Sequence, residues 1–184
     1  PRIEIFDPRN GPNSLKTYSP HRKSVMAIKL CGEYLISASE DCTIVVTDLR
    51  TDSVCKTIIL QENDKPRNRY ARSLSYDGHV FYIGDSRGMI HVLNTADKSF
   101  EITESFDIGH TKGVTDLWHG LGSIITGSDD QTVRIFSPTS PPSLIVDIQI
   151  NSGVTALDYM NSVLAVGCSE NHKVSVWFPS SDED

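Results

Sequence analysis

The feature that most constrains this chain is that it repeats itself. Ser-Val-Met-Ala-Ile-Lys-Leu (24–30), Gly-Val-Thr-Asp-Leu-Trp (113–118) and Gly-Val-Thr-Ala-Leu-Asp-Tyr (153–159) align, and each opens a unit. A second apolar run ending in small residues follows each: Tyr-Leu-Ile-Ser-Ala-Ser (34–39), Ser-Ile-Ile-Thr-Gly-Ser (123–128) and Val-Leu-Ala-Val-Gly-Cys (163–168). Then come short turns, Glu40-Asp41, Asp129-Asp130 and Glu170-Asn171, and a third, alternating run at 43–48, 132–137 and 173–178. The first two openings lie about 89 residues apart, two periods of about 44, and the last interval is about 40. A weaker unit fills the gap with runs at 70–75, 79–85 and 89–94.

Runs of four to seven residues bounded by Gly, Asp, Asn and Pro are strand-sized. Several short strands per period of 40 to 45 residues predict an all-β fold of propeller blades, in which each sheet buries its face on the next. The expected order is third and outer strands of a preceding blade at 1–19, then repeats at 20–60, 61–108 (divergent) and 109–150. A final repeat lacking its outer strand follows at 151–179, and an acidic tail at 180–184.

The units resemble WD40 repeats over essentially the whole chain. The best carries Gly109-His110 before its first strand, Thr126-Gly127-Ser128 in its second and Asp130 in the turn, and ends in Phe136-Ser137 where the family has Trp-Asp. In the first full unit His21 takes the histidine position, Asp41 the turn and Thr47-Asp48 the strand end. Elsewhere the Trp-Asp site reads Phe6-Asp7, Leu93-Asn94 and Trp177-Phe178. The resemblance implies a structural hydrogen-bond network in each good unit: His21, Ser37 and Asp41 in one, His110, Thr126 and Asp130 in another. About four blades are counted where family rings commonly have about seven. An open half-ring would leave strand edges unpaired. The expectation is therefore the C-terminal part of a larger ring, or one completed by another chain.

His110, Asp130 and Thr126 or Ser128 also spell a nucleophile triad. The structural network is preferred, because no G-x-S-x-G elbow accompanies them. Asp129 and Asp130 are neighbours on a turn and do not flank a substrate as a glycosidase pair would. The histidines at 21, 79, 91, 110, 119 and 172 show no ligand spacing, and there is no phosphate-binding glycine loop. No catalytic residue, metal or cofactor is expected.

One segment stands out from a chain of net charge −7. Lys65, Arg67, Arg69, Tyr70 and Arg72 place four cations and an aromatic within eight residues. By the family's geometry this connection reaches the partner-binding face, and Lys23, Lys112 and Arg87 occupy positions on the same side. The set Lys23, Arg67, Arg69, Tyr70, Arg72, Arg87 and Lys112 reads as a docking patch for an acidic or phosphorylated segment. A solvated insertion loop is the plainer reading of the segment taken alone. Ser-Pro-Thr-Ser-Pro-Pro (137–142) reads as an exposed connector, with phosphorylation as an alternative.

Non-catalytic protein binding is the function expected. The terse repeats resemble those of F-box/WD adaptors, which implies substrate recognition for a cullin-type ubiquitin ligase. An RNA-associated protein and a scaffold subunit are the alternatives, and the negative charge weighs against nucleic acid and membrane surfaces. Cys31, Cys42, Cys55 and Cys168 lack paired spacing, so reduced thiols in cytoplasm or nucleus are expected.

Overall fold

The computed structural model describes residues 1–60, 69–120, 122–170 and 173–178. They form two compact units, Pro1–Ala71 and Arg72–Asp184. Arg67, His172, Asn171 and the acidic tail 180–184 lie outside the described residues.

In the first unit, β1 (Ile3–Ile5) pairs antiparallel with β2 (Lys16–Tyr18). A four-stranded antiparallel meander follows: β3 (Val25–Cys31), β4 (Tyr34–Ser39), β5 (Thr43–Asp48) and β6 (Ser53–Ile59). The two central strands, β4 and β5, are buried from their second residue onward. That is why β4 reads as unbroken apolar and small residues, and why β5, expected to alternate, instead buries Ile44, Val45 and Val46 in succession. The outer strand β6 is mostly exposed. Lys16 and Tyr18 both reach Asp52 in the β5–β6 turn, at 2.7 Å, which ties β2 to this sheet.

The second unit holds three sheets. β7 (Ala71–Tyr76), β8 (Phe81–Asp85), β9 (Met89–Leu93) and β10 (Ile102–Asp107) form one. β11 (Val114–Gly120), β12 (Ser123–Ser128), β13 (Thr132–Ser137) and β14 (Ser143–Gln149) form the next. β15 (Val154–Met160), β16 (Val163–Cys168) and β17 (Val174–Trp177) form the last. All neighbouring strands whose register is resolved are antiparallel, as short hairpin connections require.

Successive sheets of this unit stack face to face. Tyr82 and Ile90 meet Val114, Leu117, Ile124 and Phe136 in one buried cluster. Ile125 and Val133 meet Val154, Leu164 and Val166 in a second, flanked by Trp118, Tyr159 and Trp177. The same joint is built twice. A Cβ on Gly84 would come within 2.7 Å of Val114 Cγ1, and one on Gly127 within 2.4 Å of Val154 Cγ1. A glycine in the second strand thus lets the valine that opens the next unit seat against bare backbone. Beside each glycine a hydroxyl donates across the joint: Ser73 Oγ to the Val114 carbonyl (3.2 Å) and Thr115 Oγ1 to the Val154 carbonyl (2.7 Å).

The repeated Val-x pair has a second structural correlate. In β3, β11 and β15 the register shifts between Val25 and Ala27, Val114 and Asp116, and Val154 and Ala156. One extra residue sits in each, a bulge that bends the strand. In the β11 bulge that residue is Thr115, whose hydroxyl makes the bridge to the next sheet.

Candidate functional site

Two polar networks sit at the turns between second and third strands. In the first unit the buried His21 ring contacts Ser37 Oγ through Nε2 (2.8 Å) and Thr43 Oγ1 through Nδ1 (3.1 Å), with Asp41 Oδ2 3.3 Å from Nδ1. In the second unit His110 Nε2 lies 2.8 Å from Thr126 Oγ1 and Nδ1 lies 2.9 Å from Asp130 Oδ2. The carboxylate fixes the proton on Nδ1, so the Thr126 hydroxyl donates to Nε2. Asp130 also accepts the Thr111 N–H (2.9 Å), the Thr132 N–H (3.0 Å) and the Thr132 hydroxyl (2.6 Å).

These surroundings set the charges. Burial pushes the Asp130 carboxyl up, but the Thr132 hydroxyl, the His110 ring and the Thr111 N–H together hold it at about 2. Asp41 also comes to about 2: burial is outweighed by bonds from Thr43 and the Arg22 N–H and by the His21 ring. Burial drives His110 below the ordinary histidine range despite the attraction of Asp130, so the ring is neutral at pH 7. Thr126 and Ser37 are fully buried, out of reach of any substrate. The networks brace turns and satisfy interior polar groups. Thr43 and Thr132 belong to them although the repeat alignment did not single them out. The signal was present as Asp-x-Thr at 41–43 and 130–132.

The expected cations fare differently. Lys23 and Lys112 are exposed, and their backbone carbonyls accept from Ser39 Oγ and Ser128 Oγ. Arg87 is half-buried in the β8–β9 turn, its N–H donating to Asp85 Oδ1 (2.8 Å). The next residue, Gly88, has φ +89°, and a Cβ there would lie 2.4 Å from the His110 carbonyl oxygen and 2.7 Å from that of Lys112. Arg87 and Lys112 are therefore brought to one edge of the second unit. Arg72 is not free for a partner. It sits in strand β7, its side chain crosses Gly113, and its guanidinium pairs with Asp129. Arg69 is 7% exposed, which leaves little of it to offer, and Tyr70 is half-buried. Arg67 lies outside the described residues.

A third polar set has no counterpart in the repeat pattern. Ser105 Oγ lies 2.7 Å from His91 Nδ1, and His91 Nε2 lies 3.0 Å from Asp85 Oδ2. The three residues come from β10, β9 and the end of β8, at separations matching no family pattern. Among the described residues no group of three or more His, Cys, Asp or Glu is arranged to hold a metal.

Repeated four-stranded antiparallel sheets, joined by the same glycine–valine contact and braced by histidine networks, define the class: the chain belongs to the WD40-repeat family. The family described as WD domain, G-beta repeat matches residues 12–48 and 101–137. F-box/WD repeat-containing protein 9 of Bos taurus is 35% identical over 144 residues, 78% of this chain and 30% of that protein. Its Homo sapiens counterpart is 31% identical over 176 residues, 96% of this chain and 37% of that protein. The chain thus spans about a third of the length of these curated relatives. Among solved structures, the RRP9 WD40 repeats superpose with a TM-score of 0.73 at 18% identity, covering 86% of this chain and 49% of that one. The computationally designed Ika4 protein gives 0.69 at 21%, covering 86% and 92%. At such identities the likeness is one of fold.

Proposed function

We propose that this chain is a non-catalytic protein-binding platform, part of the substrate-recognition ring of a cullin-type ubiquitin ligase adaptor. The observation that carries the reading is the identity to F-box/WD repeat-containing protein 9 over most of the chain. A ring of about seven blades is proposed with it. The last sheet supports this. Gly167, Thr155, Leu157 and Val166 there repeat the elements that receive a neighbour's valine at Gly84 and Gly127, and Gly167, Leu157 and Val166 line an apolar cleft of about 240 Å³. Arg87 and Lys112 on one edge, and Lys23 in the other unit, are the cations proposed to engage an acidic or phosphorylated segment. Cytoplasm or nucleus is the proposed location, in keeping with four free cysteines.

Affinity capture with mass spectrometry tests this, using the full-length parent beside a Lys23→Glu, Arg87→Glu, Lys112→Glu variant. Recovery of cullin-ligase subunits from both, with one set of clients lost from the variant, is the expected result. Absence of ligase subunits overturns the adaptor reading, and unchanged clients overturn the cation edge. Capture of RNA that weakens steeply with salt would favour the nucleic-acid alternative.

A further inference from the structure

We propose that Ser105 is an activated nucleophile, a site of covalent modification by electrophilic acyl or phosphonyl groups, with His91 as its base and Asp85 orienting the ring. The inference starts from connectivity. Asp85 is fully buried and His91 is 2% exposed, so the imidazole has a fixed partner on one side. A carboxylate 3.0 Å from Nε2 holds the proton there, which leaves the Nδ1 lone pair facing the Ser105 hydroxyl at 2.7 Å. Burial pushes the Asp85 carboxyl up, but the His91 ring and the N–H groups of Met89 and Arg87 outweigh it and keep it ionised. Nucleophile, base and orienting acid are thus in hydrogen-bond sequence.

The difference from the other two networks is access. The hydroxyls that meet Nε2 of His21 and His110, on Ser37 and Thr126, are 0% exposed, and those that meet Nδ1, on the half-buried Thr43 and the buried Thr132, already donate to Asp41 and Asp130. Ser105 is exposed and sits on β10, the outermost strand of its sheet. Its neighbour Phe106 packs toward the Val114 joint with Ile90 and Val92. By strand alternation Ser105 and His91 face the opposite side of the sheet. An electrophile reaching Ser105 from solvent finds a hydroxyl whose proton already has a base to move to.

The step balances. Ser105 Oγ forms a bond to the phosphorus of a fluorophosphonate and the P–F bond breaks. The hydroxyl proton passes to His91 Nδ1, the imidazolium is stabilised by Asp85, and it loses its proton to solvent as fluoride departs. A positioned base contributes roughly 10²- to 10⁴-fold to such a step.

The test treats the folded chain with a fluorophosphonate probe and follows adducts by peptide mapping. Ser143 is the comparator, an exposed serine at the start of the outer strand β14. Ser105 should label about 10²-fold faster than Ser143, and His91→Gln should erase the difference. The wild-type Ser105 rate should level off toward high pH, while the Ser143 rate climbs with hydroxide. If His91→Gln fails to fold, by circular dichroism, the wild-type rate ratio and pH profile decide alone. Ser105 labelling within tenfold of Ser143, or unchanged labelling in folded His91→Gln, overturns the proposal.

Discussion

Substituting Gly127 by alanine probes the joint between the second and third sheets of the larger unit. Gly127 does not have a positive φ, so alanine is sterically allowed by the local backbone. Restricting the unfolded chain would, on its own, stabilise the protein by about 0.4–1 kcal/mol. The joint opposes this. The added Cβ falls 2.4 Å from Val154 Cγ1, 3.1 Å from Leu157 Cδ2 and 3.2 Å from Val154 Cβ. Val154 is fully buried and stiff at χ1, so it has no space to yield, and overpacking of this kind costs about 1–3 kcal/mol. The net expectation is destabilisation of about 1–2 kcal/mol. Val154→Ala alone removes two methyl groups and should cost about 1.6 kcal/mol or more. The double variant, however, loses the 2.4 Å clash with Val154 Cγ1 and keeps only the contacts at 3.1–3.2 Å, so it should be more stable than the sum of the single effects by about 1–2 kcal/mol. Both tryptophans of the chain, Trp118 and Trp177, pack on this cluster, so their fluorescence during urea unfolding reports on the joint itself. A stabilised Gly127→Ala variant, or effects that add within about 0.5 kcal/mol, would refute the reasoning.

Three further outcomes are expected. Asp130→Asn puts an amide where the carboxylate accepts from His110, Thr111 and Thr132, and should cost about 2–3 kcal/mol in denaturant melts. Thermal stability should depend on pH in two windows. The His110 pKa is lowered by burial, so its contribution is complete above about pH 6.5 and declines below it as the unfolded chain takes up the proton. Asp130, lowered from 3.8 to about 2, contributes above the ordinary carboxylate value and is lost as the pH falls toward 2. His110→Gln should flatten the upper window and, by removing one of the groups that holds Asp130 down, narrow the lower one, as followed by Tm against pH. Arg72→Met keeps the stem over Gly113 and should cost under about 1 kcal/mol, since its pair with Asp129 is partly exposed; Arg72→Ala should cost more through lost packing.

The second and third strands of each unit were legible in the sequence because their residues face two ways at once. Tyr34–Ser39 and Ser123–Ser128 are buried on both faces, so their composition is unmistakable. The histidine networks were readable for a related reason: His110, Thr126 and Asp130 recur at fixed offsets in His21, Ser37 and Asp41. Basic residues near the 61–72 connection misled for the opposite reason. Charge alone does not say that Arg72 already lies in a strand, where its partner is Asp129, 57 positions away. The Ser105 set was invisible because three adjacent strands, and not a motif, bring it together. In its unit the His21 and His110 arrangement has no counterpart by sequence, and a different histidine supplies the polar interior.

The twice-used glycine–valine joint also has a thermodynamic consequence. Each sheet couples to its neighbour through one local interface, Gly84 to Val114 and then Gly127 to Val154. Stability then accumulates as in a one-dimensional chain of nearest-neighbour terms, with each added sheet contributing its own fold and one interface. A lineage built on such a joint can gain or lose a unit by duplication or deletion without redesigning the rest, because the surface left behind is already shaped for the next valine.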